Sequence, residues 1–183
     1  MINIYQDCPT LHTEHFLLRL VQESDAEDLL TCYSDPRAQA VFDFENCTSD
    51  FRYSTKEEML GCIRFWLSEY AKGMYVRFSV IDKSFGKVVG TVEMFSTPGF
   101  LPEGNGGVLR IDLASRFETA EHLSELLRLA NERFYTLFGA DMIVIKGRPA
   151  VKNRVHAFIA AGYAPYDWQS PDREYYYIRR KTQ

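Results

Sequence analysis

The chain has 183 residues, 46% hydrophobic and 25% charged, with a formal net charge of −4; this composition fits one globular domain over residues 1–183 with a good core. The acidic balance excludes a basic nucleic-acid-binding surface as the leading reading, and no stretch approaches the roughly 20 apolar residues of a membrane helix. Met1–Thr10 lacks the pattern of a targeting signal, and Cys8, Cys32, Cys47 and Cys62 form no paired motif, so the expectation is a cytoplasmic protein with reduced, structural thiols.

Cys8, His12 and His15 match no standard zinc spacing and lack a fourth ligand, so no metal site is expected. The first strand is expected at Phe16–Val21. A helix follows over Asp25–Tyr33 and stops at Asp35-Pro36. Residues 37–53 are irregular and aromatic, with Phe42, Phe44 and Phe51. A helix over Thr55–Ala71 places Met59, Ile63, Trp66, Leu67 and Tyr70 on one face. The period then changes to two, giving strands at Tyr75–Asp82 and Lys87–Ser96 around a turn at Lys83–Gly86. Three Ser-x-x-Glu pairs, Ser24/Glu27, Ser54/Glu57 and Ser115/Glu118, read as capping boxes.

Pro98–Gly107 reads as a loop. Its Gly104-Asn105-Gly106-Gly107 segment is a flexible hairpin turn, since a phosphate cradle needs a helix after the glycines and a strand follows here. A strand at Val108–Leu113, a helix at Arg116–Phe138 capped by Gly139, and an all-apolar strand core at Met142–Lys146 form a β-α-β unit, whose two strands should lie parallel. A helix at Lys152–Ala161, closed by Gly162, and strands near Tyr163–Trp168 and Glu174–Arg180 complete the chain. The fold class is α/β, with a mixed, mostly antiparallel sheet and one central parallel pair.

These pieces, in this order, resemble the GNAT acetyltransferases, and within them the branch that acetylates ribosomal-protein N-termini. The resemblance rests on Leu11-His-Thr-Glu-His-Phe-Leu-Leu-Arg19, on Asp25-Ala-Glu-Asp-Leu29, on Phe78 through Thr91, on Phe138-Gly-Ala-Asp-Met-Ile-Val-Ile145, and on the helix ending in Gly162-Tyr163. It implies acetyl-CoA as co-substrate and a small-molecule or peptide amine as acceptor; a homodimer is compatible with it. Pantetheine would pair with the strand backbone at Ile111, Leu113 and Ala114. The pyrophosphate would sit at the following helix start, among Arg116, Thr119, Ala120 and Glu121, with Asn153 close to the position of the family's asparagine.

The sequence departs from that pattern at three points. The helix start, Ser115-Arg-Phe-Glu-Thr-Ala-Glu-His-Leu123, has no glycine, and Thr119 and Glu121 stand at the two positions that usually carry one. Glu121 brings a carboxylate where a phosphate would lie, with Arg116 and His122 as partial compensation. The family's asparagine falls by count on Val151, and its general-acid tyrosine falls on Phe158, which has no proton to give.

Glu93 and Asp112 are the candidate bases for deprotonating an attacking amine. Both alternate away from apolar neighbours, and an ion pair with Arg77 or Arg110 on a neighbouring strand is the favoured reading of each. The Phe42–Tyr53 segment corresponds to the acceptor-binding loop of the family, or else it plugs the edge of the core. Tyr175-Tyr176-Tyr177 with Arg179, Arg180 and Lys181 suits a terminal strand and basic tail better than RNA stacking. Two functions follow. One is an acyl-CoA-dependent N-acyltransferase. The other is a non-catalytic relative in which Glu118 and Glu121 cap their own helix and fill the former phosphate site.

Overall fold

A computed structural model describes residues 3–42, 51–168 and 173–182. Its strands are β1 (Leu11–His12), β2 (Phe16–Leu20), β3 (Val76–Asp82), β4 (Lys87–Leu101), β5 (Gly104–Leu113), β6 (Met142–Lys146), β7 (Ala164–Tyr166) and β8 (Tyr176–Arg180). Its helices are α1 (Ala26–Tyr33), α2 (Pro36–Gln39), α3 (Lys56–Ala71), α4 (Ala120–Phe138) and α5 (Lys152–Ala160). The strands form one eight-stranded sheet in the order β1-β2-β3-β4-β5-β6-β8-β7. The β5–β6 pair is parallel, and β1–β2, β2–β3, β6–β8 and β7–β8 are antiparallel. The mixed α/β class and the single β-α-β crossover through α4 are as the sequence implies.

The chain folds as two compact units, residues 1–93 with 111–117, and residues 94–110 with 118–183. In the first, α1 and α3 bury Leu29, Cys32, Tyr33, Met59, Ile63 and Trp66 in one apolar cluster, joined by Phe42 and Phe51. The expected face of α3 is therefore the buried one, with Leu67 and Tyr70 half-buried at its margin. Cys8, Cys32 and Cys62 are free thiols, and burial pushes that of Cys8 up to about 12. In the second unit, α4 buries Leu123, Leu126, Leu127, Ala130 and Phe134. Gly139 ends the helix in the left-handed region, at φ 62°. Leu101, Met142, Val144, Tyr176 and Ile178 form a further cluster on the strands.

Several local expectations are corrected. The Pro98–Gly107 loop is strand: β4 runs to Leu101 and β5 begins at Gly104. Gly106 and Gly107 serve packing there, because a Cβ would overlap the side chain of Leu101 at the first and that of Met94 at the second. The capping boxes also shift. Gln22 with Asp25 forms the first, ahead of a 3-10 turn at Glu23–Asp25, and Thr55 with Glu58 forms the second. At the third, Ser115 opens a separate 3-10 turn, Ser115–Phe117, and its hydroxyl bonds Asp35. Helix α4 starts later, at Ala120, with Thr119 as its cap. In each case the neighbouring Gln, Thr or Asp offers the same acceptor chemistry, and packing selects which residue turns the chain.

Candidate functional site

The first candidate region is the polar core of the first unit. Strand periodicity puts Arg77 and Ser79 of β3 on one face and Val76, Phe78 and Val80 on the other, and all five are buried. Gly90 lets β4 approach β5 closely, because a Cβ there would collide with the carbonyl oxygen of Asp112. Arg77 is 2% exposed, Glu93 8% and Asp112 1%. The Arg77 guanidinium holds both candidate bases. One terminal nitrogen donates to Glu93, and the other lies 3.5 Å from Asp112 Oδ2. That second nitrogen also donates to Tyr33 Oη and Thr91 Oγ1, each at 3.1 Å. Tyr33 in turn donates to Asp112 Oδ2 at 3.1 Å.

The guanidinium is covered by aromatic rings, lying 4.1 Å from the Trp66 ring centre and 5.7 Å from that of Phe51. Burial works against the charge on Arg77, but Glu93, then Tyr33 and Asp112, outweigh it and hold its pKa well above that of an ordinary arginine. Burial, aided by the charge of Asp112, pushes the Tyr33 phenol up strongly, so it stays protonated. Of the two ion-pair partners proposed for Glu93 and Asp112, Arg77 reaches both carboxylates. Tyr33, Thr91 and Trp66 are members that the sequence reading missed, since each fits an ordinary core position of its own element.

The aromatic segment before α3 feeds this cluster. Phe42 and Phe51 are 2% and 5% exposed and pack on Tyr33 at ring distances of 5.2 Å and 5.6 Å. Phe51 takes a left-handed backbone, φ 53°, which is rare for a bulky residue. Phe44 and Cys47 lie outside the described residues.

The second candidate region is the chain from the end of β5 to the start of α4. The parallel register with β6 covers Gly106–Leu109 opposite Met142–Ile145, and β5 continues past it to Leu113. Ile111 and Leu113 are buried, and the Ala114 N–H donates to Val89 O at 2.8 Å. Arg116 is exposed, and its guanidinium lies over the rings of Phe117 and Phe85 at 4.6 Å and 5.7 Å. At the helix start, the Thr119 hydroxyl accepts from the His122 N–H at 3.2 Å. Ala120 and Glu121 are exposed, with Glu121 in the first turn.

Glu118 does not cap α4. Arg154 Nε donates to one of its carboxylate oxygens at 3.1 Å and a terminal Arg154 nitrogen donates to the other. Asn153 Nδ2 donates to the Glu118 carbonyl at 3.3 Å. The structure thus brings Asn153 to the residue just ahead of the helix start, beside an ion pair that the sequence gave no reason to expect. Val151 is the N-cap residue of α5 and makes no side-chain cap. Phe158 is fully buried, against Tyr163, Tyr177 and Gly147.

The mixed sheet with its one parallel pair and long crossover helix is similar in fold to solved GNAT-family acetyltransferases. Among solved structures the chain is similar to a GNAT-family acetyltransferase from Bacillus anthracis, at 14% identity over 94% of this chain and 99% of that one, with a TM-score of 0.71. It is similar to a ribosomal-protein-S5-alanine acetyltransferase from Vibrio fischeri, at 16% identity, 94% and 97% coverage, and a TM-score of 0.70. It is also similar to a ribosomal L7/L12 alpha-N-protein acetyltransferase in complex with coenzyme A, at 13% identity, 94% and 98% coverage, and a TM-score of 0.72. No family model and no curated protein matches the sequence. The resemblance to the ribosomal-protein branch therefore holds at the level of fold.

Proposed function

We propose that the protein is an acyl-CoA-dependent N-acyltransferase acting on a primary amine of a small molecule or peptide. The observation that carries this reading is the end of β5, which runs on to Leu113 after its register with β6 ends at Leu109. The Leu113 backbone, beyond that register, is then the edge for a pantetheine amide, while the Ala114 N–H is already given to Val89 O. The first-turn N–H groups of α4, from Ala120 and Glu121, are the donors for the pyrophosphate. Asn153 donates to the Glu118 carbonyl ahead of that helix start, and Arg116 precedes it in the chain. Acyl-CoA supplies the activated acyl thioester.

The fit is partial, and the structure gives the reason. The Thr119 hydroxyl already satisfies the His122 N–H, and Glu121 adds a negative charge at the first turn. Both features weaken a diphosphate cradle without removing the backbone donors. In the transfer, the amine nitrogen bonds to the acyl carbon and the carbon–sulfur bond breaks. The amine proton leaves through Glu93 or water, and the departing thiolate takes a proton from solvent. Asp112, almost fully enclosed, positions Arg77 and Tyr33 rather than reaching the amine.

Calorimetric titration with acetyl-CoA, with dephospho-CoA and free CoA as controls, tests the reading. Micromolar binding supports it, and Thr119→Gly or Glu121→Gly then tightens binding by freeing a donor or removing a charge. No binding at millimolar acetyl-CoA overturns it. That result favours a non-catalytic relative, for which the specific observation is that Thr119 caps the helix from within.

A further inference from the structure

The cluster around Arg77 has the composition of a cation-binding recess. Two carboxylates, from Glu93 and Asp112, two hydroxyls, from Tyr33 and Thr91, and two aromatic faces, from Trp66 and Phe51, converge on one guanidinium. These are the groups that recognise an organic cation in a site with little water. The chain fills the recess with its own side chain. Arg77 Nε, at the stem of the guanidinium, is buried without a hydrogen-bond partner, so every polar contact is made by the two terminal nitrogens. A free methylguanidinium ion can reproduce all of them.

We propose that Arg77 sets the charge of the acceptor: it occupies from within the acidic and aromatic recess that would otherwise hold a cationic amine, so that the protein rejects diamines and guanidino amines and acylates amines whose other groups are neutral or anionic. The second half rests on the acyltransferase reading. If Glu93 takes the amine proton, the amine nitrogen comes next to the carboxylate that Arg77 already neutralises. A further positive charge on the acceptor then meets a fixed guanidinium in place of the Glu93 and Asp112 carboxylates alone. Specificity of this kind comes from a repulsive element built into the site.

The test uses the full chain and an Arg77→Ala variant, which vacates the whole guanidinium and its stem, with methylguanidinium chloride as probe and with sodium chloride and tetramethylammonium chloride as controls at equal ionic strength. Methylguanidinium should raise the melting temperature of the variant saturably at millimolar concentration, leave the wild type unmoved, and not be replaced by either control. If Arg77→Ala does not fold alone, refolding it with methylguanidinium should restore the native circular dichroism. An equal response of variant and wild type, or no rescue of an unfolded variant, overturns the proposal. With acetyl-CoA present, Arg77→Ala should raise kcat/KM for agmatine relative to a neutral tetrapeptide by about tenfold, a change of about 1.4 kcal/mol. An unchanged ratio overturns the acceptor half alone. Failure of the wild type to bind CoA overturns the acyltransferase reading and the acceptor half with it, while the methylguanidinium arm still decides whether the recess is a cation site.

Discussion

Arg154 of α5 grips the carboxylate of Glu118, two residues before α4, through two nitrogens, with side-chain exposures of 4% and 10%. Removing one partner from so enclosed a pair leaves a charge without its counterion. Glu118→Ala should therefore cost about 3–5 kcal/mol in urea denaturation, and Thr119→Ala only the 0.5–2 kcal/mol typical of an N-cap. The double variant Glu118→Ala with Arg154→Met should recover part of the loss, since no charge is then stranded. Equal costs for Glu118→Ala and Thr119→Ala would return Glu118 to the capping role expected from sequence.

Phe158, which the sequence resemblance sets at the position of a general-acid tyrosine, has a fully buried ring that presses on Gly147 so closely that a Cβ there would overlap it. Phe158→Tyr should lower stability by about 1–3 kcal/mol, because it places a hydroxyl in apolar packing. It should not raise kcat, as measured by acetyl-CoA consumption. A gain in rate with unchanged melting temperature would show that position 158 reaches the reaction.

Asp25 predicts the acid side of the stability profile. Burial raises its pKa, but hydrogen bonds from Arg19, Ser79 and the Gln22 N–H outweigh burial and hold it below the ordinary value of 3.8. A carboxylate with a depressed folded pKa contributes stability that is present above its unfolded pKa and lost as pH falls through the folded one. Unfolding free energy should fall as pH drops below about 5, and Asp25→Asn should flatten that slope while lowering stability at pH 7. Chemical denaturation from pH 7 to pH 3 measures both, and parallel curves for the two proteins would count against this account.

Gly90 holds the β4–β5 contact beside Asp112. Gly90→Ala should destabilise by at least the 1–3 kcal/mol of an overpacked core position, since backbone and not a movable side chain blocks the added methyl. Gly61, exposed on α3 with open space around its Cβ position, is the control. Gly61→Ala should stabilise by up to about 1 kcal/mol through helix propensity. Thermal melts of the two variants should move in opposite directions.

Hydrophobic period alone was enough to locate α1, α3, α4 and the strands β2, β3, β6 and β8 to within a few residues, because each buries one face or two and the pattern is local. It misjudged residues 98–107. Glycine and proline there signalled a loop, whereas Gly106 and Gly107 sit in a strand to admit Leu101 and Met94, which are side chains that no local pattern connects to them. Capping was legible as a tendency and not as an address: Ser24, Ser54 and Ser115 each lie within two residues of the Gln or Thr that takes the role, or beside a turn that packing inserts.

At the candidate site, the residue types by themselves determined that the helix start lacks glycines, that position 158 has no proton, and that Glu93 and Asp112 share the alternation of neighbouring strands. Only the tertiary structure decided what those groups do. It paired both carboxylates with Arg77 under Trp66, gave Glu118 to Arg154, and handed the cap to Thr119. The reason is physical: a buried charge takes whichever partner the packed chain brings within hydrogen-bonding distance, and these partners stand between 16 and 36 residues away along the sequence.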